Sequence, residues 1–222
     1  MSKTKFIELN NFPKFPTDEM INRSKEFADY LKRRRTVREF SEDSVPIEVI
    51  ENCVKAAASV PSGANMQPWH FVIVKDPKTK KKIREGAEKE EKGFYGGRAP
   101  DEWLEALEKF DTNENKPFLE TAPYLIIIFE QKYHLDEAGK KIKHYYVKES
   151  VGIAVGTLIT ALHNAGLASL THTPSPMNFL NEILDRPENE KPFLILVTGY
   201  PKEGTKVPKI EKKKFSEVCT IV

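Results

Sequence analysis

Residues 33–38 read Arg-Arg-Arg-Thr-Val-Arg, four guanidinium groups in six positions. A guanidinium is planar, donates paired hydrogen bonds and keeps its charge at any ordinary pH, so it matches phosphate better than other side chains do. Basic residues that close a helix also favour the negative end of its dipole, by about 0.3–1 kcal/mol. The run therefore serves a helix end, a small anion, or both. A nucleic-acid patch is the other generic reading, and the charge balance speaks against it. Lys and Arg number 35 against 33 Asp and Glu, a net of +2, which leaves no broad basic surface to release counterions along a duplex.

Two further segments carry polar groups where chemistry is expected. Residues 61–69, Pro-Ser-Gly-Ala-Asn-Met-Gln-Pro-Trp, offer Ser62, Asn65 and Gln67 as donors and acceptors, while Gly63 allows close backbone approach. This is a ligand loop or a structural turn. Ser62 is a poor nucleophile, because the segment is not G-x-S-x-G and no histidine is evidently placed to activate it. Thr171-His172-Thr173-Pro174 follows an apolar run directly. Its hydroxyls suit a helix cap or a ligand equally. No G-x-G-x-x-G or G-K-[ST] loop is present, which argues against Rossmann and P-loop sites. Cys53, Cys219 and the histidines at 70, 134, 144, 163 and 172 show no metal-ligand spacing, so no protein-bound metal is expected.

The elements that must position these groups are readable from periodicity. An amphipathic helix over 17–32 delivers the arginine run, after an extended arm over 1–16 that contains Pro13 and Pro16. A helix over 44–59, with Pro46 in its first turn, presents Ile47, Ile50, Val54 and Ala57 on one face. A buried strand is expected over 70–74, then a charged helix over 78–92 whose lysine run at 78–82 reads as a solvated face. Residues 95–115 differ in kind: Gly96, Gly97 and Pro100 break the chain and a short helix spans 101–110. Few apolar residues anchor this stretch, so it opens at low cost and reads as a lid. Strands follow at 124–129, 167–170 and 193–197, with a helix over 147–164 that Gly166 stops. Gly152, Ala154 and Gly156 permit that helix to pack closely on a sheet or on a second subunit. A tail with Pro201 and Pro208 runs from 200 to 222. Helices and strands alternate without a regular βαβ rhythm, which favours an α+β domain over 17–222 with no internal repeat or linker.

Composition bounds the rest. A chain of 222 residues, 31% charged and 39% apolar, describes a soluble globular protein with one well-buried core, or at most two small ones. No run approaches the roughly 18 apolar residues of a membrane helix. The opening residues lack the apolar run of a signal peptide, and the sparse cysteines suit a reducing compartment, so a cytoplasmic location is expected.

At these residues the chain resembles a known group. Arg-Arg-Thr-Val-Arg, a helix, and then Pro-Ser-Gly-Ala-Asn-Met-Gln-Pro-Trp are similar to the opening of the nitroreductase-like flavoprotein superfamily. The likeness runs from about residue 30 through Thr171-His172-Thr173-Pro174 and Gly199-Tyr200-Pro201. It implies an intertwined homodimer with FMN at the subunit interface. It also implies that Arg34, Arg35, Thr36 and Arg38 hold the FMN phosphate, with Lys212 reaching it from the tail. Ser62 and Gly63, and Thr171 and His172, would lie against the flavin.

Within that superfamily the iodotyrosine deiodinase branch fits best. It grips an amino-acid zwitterion with Glu, Tyr and Lys from a lid, and Glu91, Tyr95 and Lys116 match that pattern and spacing. Trp103, Asp111-Thr112-Asn113 and Thr121-Ala122-Pro123 are similar as well. The chemistry is sound in its own terms, since an ammonium needs a carboxylate and a carboxylate needs a cation, each such bond contributing about 1.5–3 kcal/mol. The resemblance gives Ala64 the role of offering its N–H to the substrate phenolate, and Thr173 that of bonding flavin N5 during catalysis. It implies reductive removal of iodide from mono- and diiodotyrosine, against a broad NAD(P)H-dependent nitro or quinone reductase, or a non-catalytic flavin-binding module. A separate reductase and NAD(P)H are both open as electron donors. Lys212 stands where the branch has Arg, and His172 where it has Thr.

Overall fold

The computed structural model describes residues 5–110 and 112–222. Part of the expected arm (residues 1–4) and Asp111 lie outside the described residues. The chain forms two compact units, Met1–Arg34 and Arg35–Val222.

The first unit is built on helix α1 (Thr17–Lys32), the span that its periodicity predicts. It buries no residue of its own and is held by local pairs: Glu19 with Arg23, Asp29 with Lys32, and the Arg23 guanidinium 4.0 Å from the Phe15 ring. The Arg33 and Arg34 N–H groups donate to Tyr30 and Leu31 carbonyls, closing the helix. This part of the arginine run does helix-end work.

The second unit runs α2 (Ile47–Ala58), β1 (Trp69–Val74), α3 (Pro77–Gly93), α4 (Asp101–Glu108), α5 (Phe118–Thr121), β2 (Tyr124–Gln131), β3 (Tyr133–Leu135), β4 (Lys141–Lys143), α6 (Val147–Asn164), β5 (Ala168–His172), α7 (Phe179–Ile183), β6 (Glu190–Gly199) and α8 (Phe215–Val218). Four strands pair antiparallel in the order β1-β2-β6-β5, and β3 and β4 form a separate hairpin. Antiparallel sheets commonly leave one face wet; this one does not. Along β2, Tyr124, Ile126 and Ile128 face a core shared with α2 and α6, while Leu125, Ile127 and Phe129 face a second core with α3, α5 and α7. Burial on both faces is why β2 is a continuous apolar run rather than an alternating one.

Several expectations are corrected by packing. Helix α2 starts at Ile47, three residues late, because Pro46 sits at the N-cap rather than inside the first turn. Gly96 does not break the chain: α3 passes into a π-helical turn, Phe94–Arg98, and the break comes at Gly97, whose φ of 125° favours glycine. The lysine run is not uniformly solvated. Lys80 is 7% exposed, and its ammonium donates to the carbonyls of Glu120 (2.7 Å) and Ala122 (2.8 Å), the unsatisfied end of α5. Lys80→Met keeps the apolar stem and deletes both bonds. It should cost about 3 kcal/mol, or roughly 6–12 °C in Tm, by differential scanning calorimetry. An unchanged Tm would show that the two carbonyls find other partners.

Gly152 and Gly156 have open space where a Cβ would lie, so these two glycines do not serve the packing of α6 on the sheet, whereas Ala154 is buried in the core. No helix among the described residues is long and apolar enough to cross a membrane.

Candidate active site

Residues 35–41 run between the edge strand β5 and the start of the tail. Thr36 bridges Ser169, Val37 N–H donates to the Ser169 carbonyl, Ser41 N–H donates to Tyr200, and Lys202 N–H donates to Glu39. Arg35 reaches over to the Pro208 carbonyl. This seating places Arg38 in the lining of adjoining clefts. One, of about 470 Å³, gathers Thr36, Arg38, Lys109 and Lys206 with a single acidic residue, Glu39, so three cations outnumber one carboxylate, a balance suited to a phosphate. Lys109 and Lys206 are part of it although nothing in their local sequence singles them out. The Arg38 guanidinium lies 5.8 Å from the Phe110 ring. Burial lowers its pKa, yet an arginine remains charged at neutral pH.

The second cleft, of about 270 Å³, lies between the end of β5 and the expected lid. Leu170, Thr171, His172 and Thr173 line it from the strand side, and Glu91, Phe94, Tyr95, Trp103 and Leu107 line it from the lid side. Thr171 and His172 belong to β5 itself, which extends two residues past its expected end, and only Thr173 follows the strand. Thr112, Lys116 and Phe118 complete the far end.

The Lys116 ammonium sits 3.1 Å from a Glu91 carboxylate oxygen, and the two side chains are 4% and 13% exposed. It also donates to Thr112 Oγ1 at 3.3 Å and to the Asn113 carbonyl, and lies 5.5 Å from the Tyr95 ring. Burial raises the Tyr95 phenol's pKa, so it stays a neutral hydrogen-bonding group, paired with Thr112. The groups that suit a zwitterion thus satisfy each other. Their placement rests on α3. The Lys116 N–H donates to Glu88 Oε1 at 2.7 Å, and Arg84 bonds the same oxygen at 2.7 Å while reaching Glu120 at 3.2 Å. Arg98 grips the Glu90 carboxylate and carbonyl, clasping the π turn back onto the helix end.

The remaining expected residues are not gathered there. Ser62 Oγ accepts the Gln67 N–H at 2.9 Å, and the Gly63 N–H donates weakly to Ser150 Oγ at 3.4 Å. A Cβ on Gly63 would meet Tyr146 at 2.9 Å, so close backbone approach is what glycine serves here. Ala64 is exposed with a φ of 50°. Lys212 is exposed in the tail, and Arg34 belongs to the first unit. Sequence reasoning passed over Phe118, which packs edge-on to His172 at 5.5 Å between ring centres.

The Nitroreductase family profile matches residues 31–200. The iodotyrosine deiodinase of Haliscomenobacter hydrossis is 54% identical over 207 residues, 93% of each chain. That of Nematostella vectensis is 44% identical over 96% of this chain and 84% of its own. A crystal structure of oxidized iodotyrosine deiodinase bound to FMN and 3-iodo-L-tyrosine superposes with a TM-score of 0.74 at 34% identity, covering 88% of this chain and 100% of that one. With relatives this similar along nearly its whole length, and with Glu91, Tyr95 and Lys116 meeting in one cleft, this chain belongs to the nitroreductase family, in its iodotyrosine deiodinase branch.

Proposed function

We propose that this FMN-dependent oxidoreductase removes halogen from halotyrosines in the cleft between β5 and the lid. The observation that carries the assignment of residues is the buried Glu91–Lys116 pair beside Tyr95. A zwitterion can enter it by exchange: its ammonium donates to Glu91, its carboxylate accepts from Lys116, and neither protein charge is left without a partner. Tyr95 adds a neutral hydrogen bond. Closing the lid over the ligand excludes water, which strengthens every one of these bonds.

The residues present fit FMN. The basic cleft around Thr36, Arg38, Lys109 and Lys206 suits its phosphate, and the resemblance adds Arg35 and Lys212 to it. The cleft beyond Arg38 carries an unpartnered buried ring nitrogen on His172 and the Thr173 hydroxyl, polar groups for the edge of a planar heterocycle. Bound there, FMN supplies the two electrons of the reaction. The substrate takes up these electrons and a proton as its C–I bond breaks and a C–H bond forms, releasing iodide. Thr173 would hydrogen-bond flavin N5.

The chain acts as a homodimer. Ser62, Gly63 and Ala64 lie outside the cleft of their own chain, so a second copy is needed for Ser62 and Gly63 to meet the flavin and for the Ala64 N–H to meet the substrate phenolate. The outer side of α6, with Ile153 49% exposed and Gly152 and Gly156 open, is suited to such contact.

Mixing photoreduced protein anaerobically with diiodotyrosine should restore the oxidised flavin spectrum and release iodide and tyrosine. Reoxidation by a nitroarene or quinone alone would favour the general reductase, and no reoxidation by any of them the flavin-binding module.

A further inference from the structure

Lys116 carries the cation of the zwitterion clamp, yet the chain leading to it offers little to hold it in place. Helix α4 buries no residue, and no described residue from 100 to 115 is buried. Such a stretch opens at low cost. Lys116 is nevertheless buried, with its ammonium 3.1 Å from Glu91. Its backbone explains this. The Lys116 carbonyl accepts the Leu119 N–H at 3.1 Å, in the turn that opens α5, and the Lys116 N–H donates to Glu88 Oε1 at 2.7 Å. The first bond is local to the turn; the second reaches across to α3.

Glu88 is itself well held. Its side chain is 19% exposed, and the same oxygen accepts Arg84 Nε at 2.7 Å, while Arg84 also reaches the Glu120 carboxylate at 3.2 Å. Partial burial works to raise its pKa, but the Lys116 N–H and the Arg84 guanidinium together hold it below the usual carboxylate range. Glu88 is therefore an anion at neutral pH, and a hydrogen bond to an anion is about twice as strong as a neutral one. Glu91 lies three residues further along the helix, which brings both carboxylates to one face. Helix α3 thus holds the Lys116 backbone with Glu88 and meets its ammonium with Glu91. When a ligand's carboxylate replaces Glu91, the bond to Glu88 still fixes where the lysine stem begins.

We propose that Glu88 is a positioning residue for substrate selection: through the Lys116 N–H it keeps the lysine ammonium within reach of the carboxylate of an amino-acid ligand. This rests on the halotyrosine reading above and deepens it. Glu88 lines neither the substrate cleft nor the basic cleft, so its effect on a ligand passes through Lys116.

The test compares diiodotyrosine with diiodotyramine, which keeps the ammonium and the halogenated ring but lacks the carboxylate. Flavin-fluorescence titration of FMN-loaded protein gives both affinities, and their ratio isolates what Lys116 contributes. Glu88→Ala should shrink the wild-type preference for diiodotyrosine about tenfold, with FMN affinity changed less than about threefold. Glu88→Gln keeps an acceptor at the same reach and should restore the preference to within about threefold of wild type. In Lys116→Ala protein, adding Glu88→Ala should move the ratio less than about twofold, because the residue it acts through is already gone. An unchanged ratio in Glu88→Ala, a parallel loss of FMN, or a full further loss in the Lys116→Ala background would overturn the proposal and leave Glu88 a support of the fold. Where Glu88→Ala fails to fold, Glu88→Asp keeps the charge, falls short of the Lys116 N–H and gives the same reading. Wild-type protein that binds both ligands equally would instead overturn the zwitterion reading of the clamp, before any variant is made.

Discussion

Replacing Lys116 by alanine should weaken diiodotyrosine binding by at least about a hundredfold while FMN affinity changes less than about threefold. The size follows from burial. Lys116 and Glu91 are 4% and 13% exposed and 3.1 Å apart, so deleting one partner leaves a carboxylate with little water around it. Breaking such a pair typically costs about 3–5 kcal/mol. In the variant the ligand's carboxylate has no cation, while its ammonium still has Glu91. A ligand bearing only one charge should suffer a similar loss on the wild-type protein, since it must open the pair and satisfy only half of it. A flavin-fluorescence titration with diiodotyrosine, and with the corresponding halogenated tyramine and phenylpropionate, reads both effects. Equal affinity of variant and wild type would remove the zwitterion assignment. A parallel loss of FMN would mean that Lys116 supports the fold of the cleft rather than the substrate.

The second large effect is acid lability traced to one side chain. The His172 imidazole has a folded pKa of about 3 through burial and the Lys116 and Arg38 charges. In the unfolded chain it titrates near the ordinary value of about 6.5. Between those values the unfolded state binds a proton that the native state refuses. Stability from this group is therefore undiminished above about pH 6.5 and falls as pH drops towards 3, at up to about 1.4 kcal/mol per pH unit. His172→Thr removes the titrating group. Urea unfolding of the FMN-loaded proteins at pH 7, 5.5 and 4.5 should show the variant gaining on the wild type by about 1 kcal/mol per unit below pH 6. A difference that stays constant across this range would mean the ring accepts a proton in the native state.

The long elements were legible because each is a repeated pattern. Helix α1 begins and ends where its periodicity does, and α6 stops where Gly166 adopts a φ of 81°. The short ones, α5, α7, α8 and the β3–β4 hairpin, were not. Three to five residues carry no full period, so contacts with the rest of the chain decide them. Lys80 shows the same limit in a single residue, since a lysine among lysines reads as solvated until the carbonyls of Glu120 and Ala122 are found beside it.

For the site, the motifs and their spacing carried the resemblance that led to the family, and with it the proposal that a phosphate meets the arginine run and a zwitterion meets Glu91, Tyr95 and Lys116. Those are matters of which groups the chain owns, and chemistry constrains them locally. Only the tertiary structure decided that Glu91 and Lys116 pair with each other, and that Lys109 and Lys206 join Arg38 at the basic cleft. It alone decided that His172 is buried and neutral, and that residues 62–64 do not line the cleft of their own chain. Burial, dielectric and the pairing of charges are properties of the space between elements. No single stretch of sequence contains that space.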